Sequence, residues 1–440
     1  MKVLDGLSKR NQVSSRFTQV GRVKNVSGIT VEVEGLSAPL GARCAIETNN
    51  GLVMADVVGF EASLSKLQPL SGVEGINPNS KVSIVTTSSS LPFSEDMLGT
   101  VIDPCGNILI GKDCTPDMHL PLTSQPLSIS ERGEIDRVFK TGIKAIDTLT
   151  PIGFGQRIGL FAGTGVGKSV TLAMITQFSS ADVVVVGLIG ERGREVSDFA
   201  MNTLSSEARK KSVIVAAPAD YSPILRMQGA EAATAIAEHY RDKGLNVLLL
   251  IDSVSRYAIA QREVAGSAGE PPTTKGYPPS VFAKLPFLIE RAGAAKAGGS
   301  ITAIYTVLAE GDDLNGVIID AARGVLDGHV VLSRAIAEKG IYPAIDIPKS
   351  ISRLAQELLS KDDYSKVLKV KGLFSLLADN HDLVSLGLIE PGKNPELDLA
   401  LDVKGDLDSL VKQDIGELSN DSHLRQTVEA VTRRLSTLRV

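Results

Sequence analysis

The sequence predicts an α/β protein: a largely parallel sheet with helices on both faces, preceded by a small β-barrel and followed by a helical domain. Three observations carry this. Between Leu91 and about Arg353, apolar runs of strand length alternate with stretches at helical spacing, the pattern of a doubly covered parallel sheet. Residues 17–90 instead show short alternating runs broken by turn signals. From residue 354 onward the chain is polar, with leucine pairs at helix-compatible intervals. At 440 residues the chain is long enough for two or three domains. The expected division is an N-terminal segment (1–16), a barrel (17–90), an α/β core (91–353) and a helical domain (354–440).

Taken in order, Met1 to Ser15 places Val3, Leu4 and Leu7 on one helical face. It is too short for a stable isolated helix, and both a frayed end and a partner-docking helix stay open. Barrel strands are expected at Ile29–Val33 and Leu52–Ala55, punctuated by Ser27-Gly28 and Asn50-Gly51. Thr86–Ser90 (TTSSS) reads as a polar hinge or loop. Core strands are expected at Arg157–Ala162, Val183–Ile189, Val213–Ala216, Val247–Asp252 and Ile301–Val307. Glu263–Gly276 (EVAGSAGEPPTTKG) is too rich in Gly and Pro for regular structure, and Lys275 to Pro279 extends it as a stiff loop. Pro391 and Pro395 mark a break, and a last helix is expected from about His423 to Leu438.

Composition narrows the function classes. A net charge of −5 supplies no global field for nucleic acid. Cys44, Cys105 and Cys114 lack C-x-x-C spacing, which argues against a disulfide framework or a zinc site and for a reduced, cytosolic setting. The longest apolar stretches, such as Val247–Ile251, are strand-sized, so membrane association is expected only through partners.

The chemistry begins at Ala162–Ser169, AGTGVGKS, which fits the phosphate-loop pattern [AG]-x-x-x-x-G-K-[ST] between a short buried strand and a helix-spaced stretch. Glycines 163, 165 and 167 let backbone N–H groups turn inward around phosphate oxygens, and the helix N-terminus beyond adds its dipole. Gly163, Thr164, Gly165, Val166, Gly167, Lys168, Ser169 and Val170 are the expected nucleotide contacts, with Lys168 on the β- and γ-phosphates and Ser169 on Mg²⁺. A second site follows the strand Val183–Ile189: Glu191, in Gly190-Glu191-Arg192, ends that strand on the ligand-binding edge of the sheet and is the candidate for orienting the attacking water. Third, Asn246–Ser253 (NVLLLIDS) is an apolar run ending in Asp252, which would reach the Mg²⁺ sphere.

With these residues in hand, LFAGTGVGKSV, VVGLIGERGREV, APADYSPILRMQGAEAAT, IDSVSRYAIAQREV, GEPPTTKGYPPSVFAKLP, LDGHVVLSRAIAEKGIYPAID and SISR together resemble the bacterial type III protein-export ATPases, most closely their flagellar branch, relatives of rotary ATP synthase catalytic subunits. The resemblance spans almost the whole chain. It implies a RecA-like P-loop NTPase core, ATP as substrate with Mg²⁺, and a homohexamer that engages, unfolds or releases export substrates. It also implies Arg192 as a phosphate-contacting arginine, Tyr342 as the aromatic on adenine, and Arg353 as an arginine inserted into a neighbouring subunit's site. The Tyr277-Pro278-Pro279 loop would face the central opening of the ring. Implied partners are stator-type and stalk-type export proteins, the export gate at the membrane, substrates and chaperones, with no nucleic acid. The implied location is cytoplasmic, peripheral to the inner-membrane export apparatus.

Rival readings are a virulence type III secretion ATPase, a rotary ATP synthase catalytic subunit, a non-catalytic ring subunit and a hexameric RNA translocase. Glu191 argues against the non-catalytic subunit. The absence of Trp and of a basic, aromatic-rich barrel argues against the translocase.

Overall fold

The structure, a computed structural model, describes residues 20–390 and 392–437. The expected docking face at Val3, Leu4 and Leu7 and the break at Pro391 lie outside the described residues. The chain folds as two units, one comprising the residues up to Ser89 together with Val264–Glu270, the other Ser90–Glu263 and the residues from Pro271 on.

In the first unit six antiparallel strands close on themselves: Val20–Ser27, Thr30–Glu34, Arg43–Thr48, Gly51–Glu61, Leu64–Pro69 and Lys81–Thr86. The last pairs with the first, Val20 opposite Ser83 and Arg22 opposite Lys81. Alternation does the sorting: Val31 and Val33 are buried while Glu34 is exposed, and Val23, Ile46, Val57 and Leu67 fill the same interior. Ser27 and Thr30 face each other across a two-residue turn. Gly28 there sits at φ 58°, the left-handed geometry such hairpins require.

The stretch expected to be irregular from Glu263 is corrected by the structure. A helix runs Val254–Ala268 straight through Val264 and Gly266, and regular structure stops only at Gly269. The reason is non-local. A helix end leaves its last carbonyls without partners, and here Thr30 Oγ1 donates to Ser267 O at 3.4 Å and Lys66 Nζ to Ala268 O at 3.3 Å.

The second unit is built on one large sheet. Its parallel core runs in the order Gly328–Leu332, Arg157–Ala162, Ser300–Leu308, Asn246–Asp252, Val183–Ile189, Ser212–Ala217 and Val101–Ile102, with Ile351–Ser352 and Ile108–Ile110 as antiparallel edges. Strands such as Val183–Ile189 are buried at every position, because helices cover both faces. Each expected core strand is present within a residue of its expected ends.

After the sheet come helices Ala355–Leu358, Lys361–Asp379, His381–Ser385, Pro395–Asp402, Lys404–Val411 and Asp421–Thr437. Leu424, Val428, Val431 and Leu435 line one face of the last helix and share a core with Ile143, Ile146 and Leu149 beside the sheet. Buried Gln413 ties the two parts together: its side chain accepts from Lys144 N–H (2.9 Å) and donates to Gly142 O (2.8 Å), and its own N–H donates to Tyr342 O (2.9 Å). Deeper still, Arg291 is 1% exposed and forks onto Glu238 at 2.8 and 2.7 Å, with a third bond to Leu122 O. Among the described residues no helix is long and apolar enough to cross a membrane.

Candidate active site

The strand Arg157–Ala162 delivers the chain to the loop, and the helix Lys168–Phe178 carries it away. Gly165 and Gly167 sit at φ 77° and 89°, conformations costly to any residue with a Cβ. They roll successive N–H groups toward one concavity, a nest for an anion. Val166 is buried beneath the loop, while Val170 is exposed one turn into the helix.

Lys168 is the centre of the charge arrangement. Its ammonium donates to Glu191 Oε1 at 3.0 Å and makes a shorter contact with Asp252 Oδ1. The three side chains are only 13%, 15% and 5% exposed. Strand order explains the meeting: Val183–Ile189 and Asn246–Asp252 are neighbours in parallel register, Leu188 opposite Asp252, so both carboxylates emerge at the same sheet edge as the loop. Thr306, on the adjoining strand, donates to Asp252 Oδ1 at 2.6 Å and fixes that carboxylate's rotamer.

Burial pulls the Lys168 ammonium toward a lower pKa, but Asp252 and Glu191 outweigh it and leave it raised. Glu191 is also raised, first by burial and then by the charges of Asp252 and Glu195, against the opposing pull of Lys168. Perturbed groups of this kind, gathered in a concave site, make it a candidate for chemistry.

A cavity of about 180 Å³ opens beside this cluster, lined by Ser169, Glu191, Glu195, Asp198, Phe199 and Asp252 among others. Among the described residues no group of three or more His, Cys, Asp or Glu is set up to hold a metal by itself. The donor set at the cavity is a hydroxyl and carboxylates, and it suits Mg²⁺, which takes few protein oxygens and keeps several waters.

The remaining expected residues fall in three places. Arg192 is largely exposed and pairs with Glu195 at 3.2 Å. Tyr342 is half exposed and lies over the loop; a Cβ built on Gly167 would stand 3.5 Å from its ring. Arg353 is not brought to its own chain's cluster. It follows the edge strand Ile351–Ser352, and its N–H donates to Asp327 O (2.9 Å), whose carboxylate accepts from Arg157 N–H at the start of the loop's strand (3.0 Å). The length of that strand, about 20 Å at ~3.3 Å per residue, separates Arg353 from the loop.

Sequence reading missed Glu195 in the cavity wall, Thr306 behind Asp252, and Arg256. The Arg256 stem packs against Gly190, the residue before Glu191, and its Nε is buried without a hydrogen-bond partner. Its signal was its position, four residues beyond Asp252 and hence one turn along the helix that opens at the same sheet edge.

Comparison with known proteins agrees with this geometry. Residues 142–352 match the nucleotide-binding domain of the ATP synthase alpha/beta family, and residues 359–430 match the C-terminal domain of the type III secretion ATPase EscN. A flagellum-specific ATP synthase of Salmonella typhimurium is 46% identical over 98% of this chain and 97% of its own. One of Pseudomonas aeruginosa is 48% identical over 90% of both. Among solved structures, the assembled ATPase EscN of the enteropathogenic E. coli type III secretion system superposes with a TM-score of 0.87 at 37% identity, covering 94% of this chain and 99% of that one. The same ATPase in complex with its central stalk EscO gives 0.84 at 36% identity over the same shares.

Proposed function

The chain belongs to the flagellum-specific ATP synthase family, and from that premise we propose that it is the ATP-hydrolysing motor of a flagellar protein-export apparatus. The single observation that carries the chemistry is Lys168 held between Glu191 and Asp252 at the mouth of the phosphate loop. A triphosphate entering the loop competes for the Lys168 charge and frees both carboxylates. Asp252 and Ser169 are the residues that would hold Mg²⁺, and the ion would supply positive charge against the phosphates. Glu191 is then left beside the cavity to orient water toward the γ-phosphoryl group. Tyr342, packed over Gly167, offers its exposed ring to the base.

The charge that develops in the transition state needs a cation. Arg192 is within its own chain's reach of the site. Arg353 stands a strand's length from its own loop, so on this reading its role is filled in a neighbour's site, and the working unit is a homohexameric ring. The match of residues 359–430 to the EscN C-terminal domain favours export over a rotary ATP synthase role. On this reading the partners are stator- and stalk-type export proteins, the membrane export gate, and substrates with their chaperones. Nucleic acid is not among them, and the protein works in the cytoplasm against the inner membrane.

The test is a co-purification from cytosol together with an ATPase assay. The flagellar stator and stalk proteins are expected to come down with an Mg-ATP-hydrolysing chain. Active enzyme that captures only injectisome components would move it to the virulence branch, and absence of turnover in the assembled ring would remove the motor assignment.

A further inference from the structure

The phosphate loop is braced from outside by two residues that neither the motif nor the cluster at Lys168 includes. Parallel register brings them there. Ala162 pairs with Leu332, so two residues further on Thr164 meets Arg334. Ala162 also pairs with Leu308 on its other side, and four residues on the chain turns through Gly311 and Asp312, at φ 62° and 61°.

Arg334 Nη2 donates to Thr164 O at 2.9 Å, and its Nε donates to Asp312 Oδ2 at 2.8 Å. The other Asp312 oxygen lies so close over Gly163 that a Cβ there would stand 2.0 Å from it. The guanidinium fork thus spans a loop carbonyl and a carboxylate seated on the neighbouring loop residue.

The consequence follows from peptide geometry. In a planar trans peptide the C=O of one residue and the N–H of the next point in opposite directions. Holding Thr164 C=O outward therefore aims Gly165 N–H inward, into the concavity where phosphate oxygens sit. Gly165 has open space around its α-carbon and a left-handed φ, so nothing else in its own side chain restrains that peptide.

We propose that Arg334, anchored by Asp312, is a positioning residue that preorganises the phosphate loop and so sets affinity for the polyphosphate part of the nucleotide. The proposal rests on the assignment of the nucleotide to this loop. Both side chains are more than 40% exposed, and an exposed ion pair adds little to stability. The contact matters through direction rather than through folding energy.

The experiment measures dissociation constants for Mg-ATP and for inorganic tripolyphosphate on the full chain, with melting temperature alongside. Arg334→Ala is expected to weaken both ligands by the same factor, roughly three- to tenfold for a lost charge-assisted hydrogen bond at a part-exposed site, with the melting temperature unchanged. Arg334→Lys, able to reach one partner but not to fork, should restore part of the loss. Asp312→Asn supplies the same test without touching the arginine, should Arg334→Ala fail to fold. Unchanged affinity for both ligands in Arg334→Ala, or an equal loss in the Lys and Ala variants, would overturn the proposal. Lys168→Ala separates the two levels: if it too binds normally the nucleotide lies elsewhere, whereas if it loses affinity while Arg334→Ala does not, only the positioning role fails.

Discussion

Lys168 Nζ stands 3.0 Å from Glu191 Oε1, so the cation of the phosphate loop and the carboxylate assigned to the attacking water are bonded to one another. One side chain therefore serves as a counter-charge before it serves in chemistry, and the two can be separated by substitution.

Replacing Glu191 by Gln should leave Mg-ATP binding largely intact while removing hydrolysis, because a neutral amide cannot act as the water-orienting carboxylate. Lys168→Ala should lose binding and turnover together. Single-turnover assays beside equilibrium binding check both. Glu191→Gln activity above about a tenth of wild type, a loss below ~1.4 kcal/mol, would assign the water to another residue.

The acid side of the pH profile carries a sign. Burial, with Asp252 and Glu195, holds Glu191 above the ordinary glutamate range despite Lys168. An acid with a raised pKa stays protonated to higher pH, and only its ionised form orients water. The kcat/KM profile should therefore rise with pH through a limb lying above the usual glutamate range. Glu195→Gln removes one of the charges that raise it, so the limb should move to lower pH. A shift in the opposite direction would mean that another group governs it.

Arg353 lies at the far end of the loop's strand from its own site, and if it serves a neighbour's site as proposed, turnover should depend on assembly. Specific activity should rise with protein concentration, and Arg353→Ala should depress turnover far more than binding, toward the roughly 10³–10⁵ in rate that an arginine finger supplies. Mixing Arg353→Ala with Glu191→Gln subunits should restore partial activity, since some interfaces then pair two intact partners. Mixed rings verified by mass but still inactive would leave Arg353 with a purely structural role.

Stability should respond sharply at Arg291, whose guanidinium is buried on Glu238. Glu238→Ala leaves an uncompensated buried cation, at a cost of about 3–5 kcal/mol. Denaturant titration would read this directly, and a loss near zero would show that water reaches the arginine.

Much of this protein was legible before folding was considered. The phosphate loop, Glu191, Asp252 and five core strands each follow from a local run of residues, because motif and periodicity are short-range signals. What escaped was set by register and by distant partners. The helix through Gly266 survives because Thr30 and Lys66 cap carbonyls more than 200 residues away. Arg334 reaches Thr164 across 170 residues of sequence, and no local pattern announces it. Thr306 behind Asp252 is equally silent, since a threonine in a buried strand reads first as β propensity.

The six-stranded sheet around Val31 and Leu67 closes edge to edge, its first strand paired with its last, and this bears on how copies can associate. An open sheet offers a row of unused N–H and C=O groups on which a second chain can extend the ladder, and with many copies held close such growth has no natural stopping point. A closed cylinder withholds that template. In the proposed ring, any contact between the barrels of adjacent subunits would then fall to side chains on the outer wall, where Leu52 and Phe60 are exposed. Surface matching of that kind can favour one angle between neighbours, and a fixed angle is what lets a ring close rather than a filament grow.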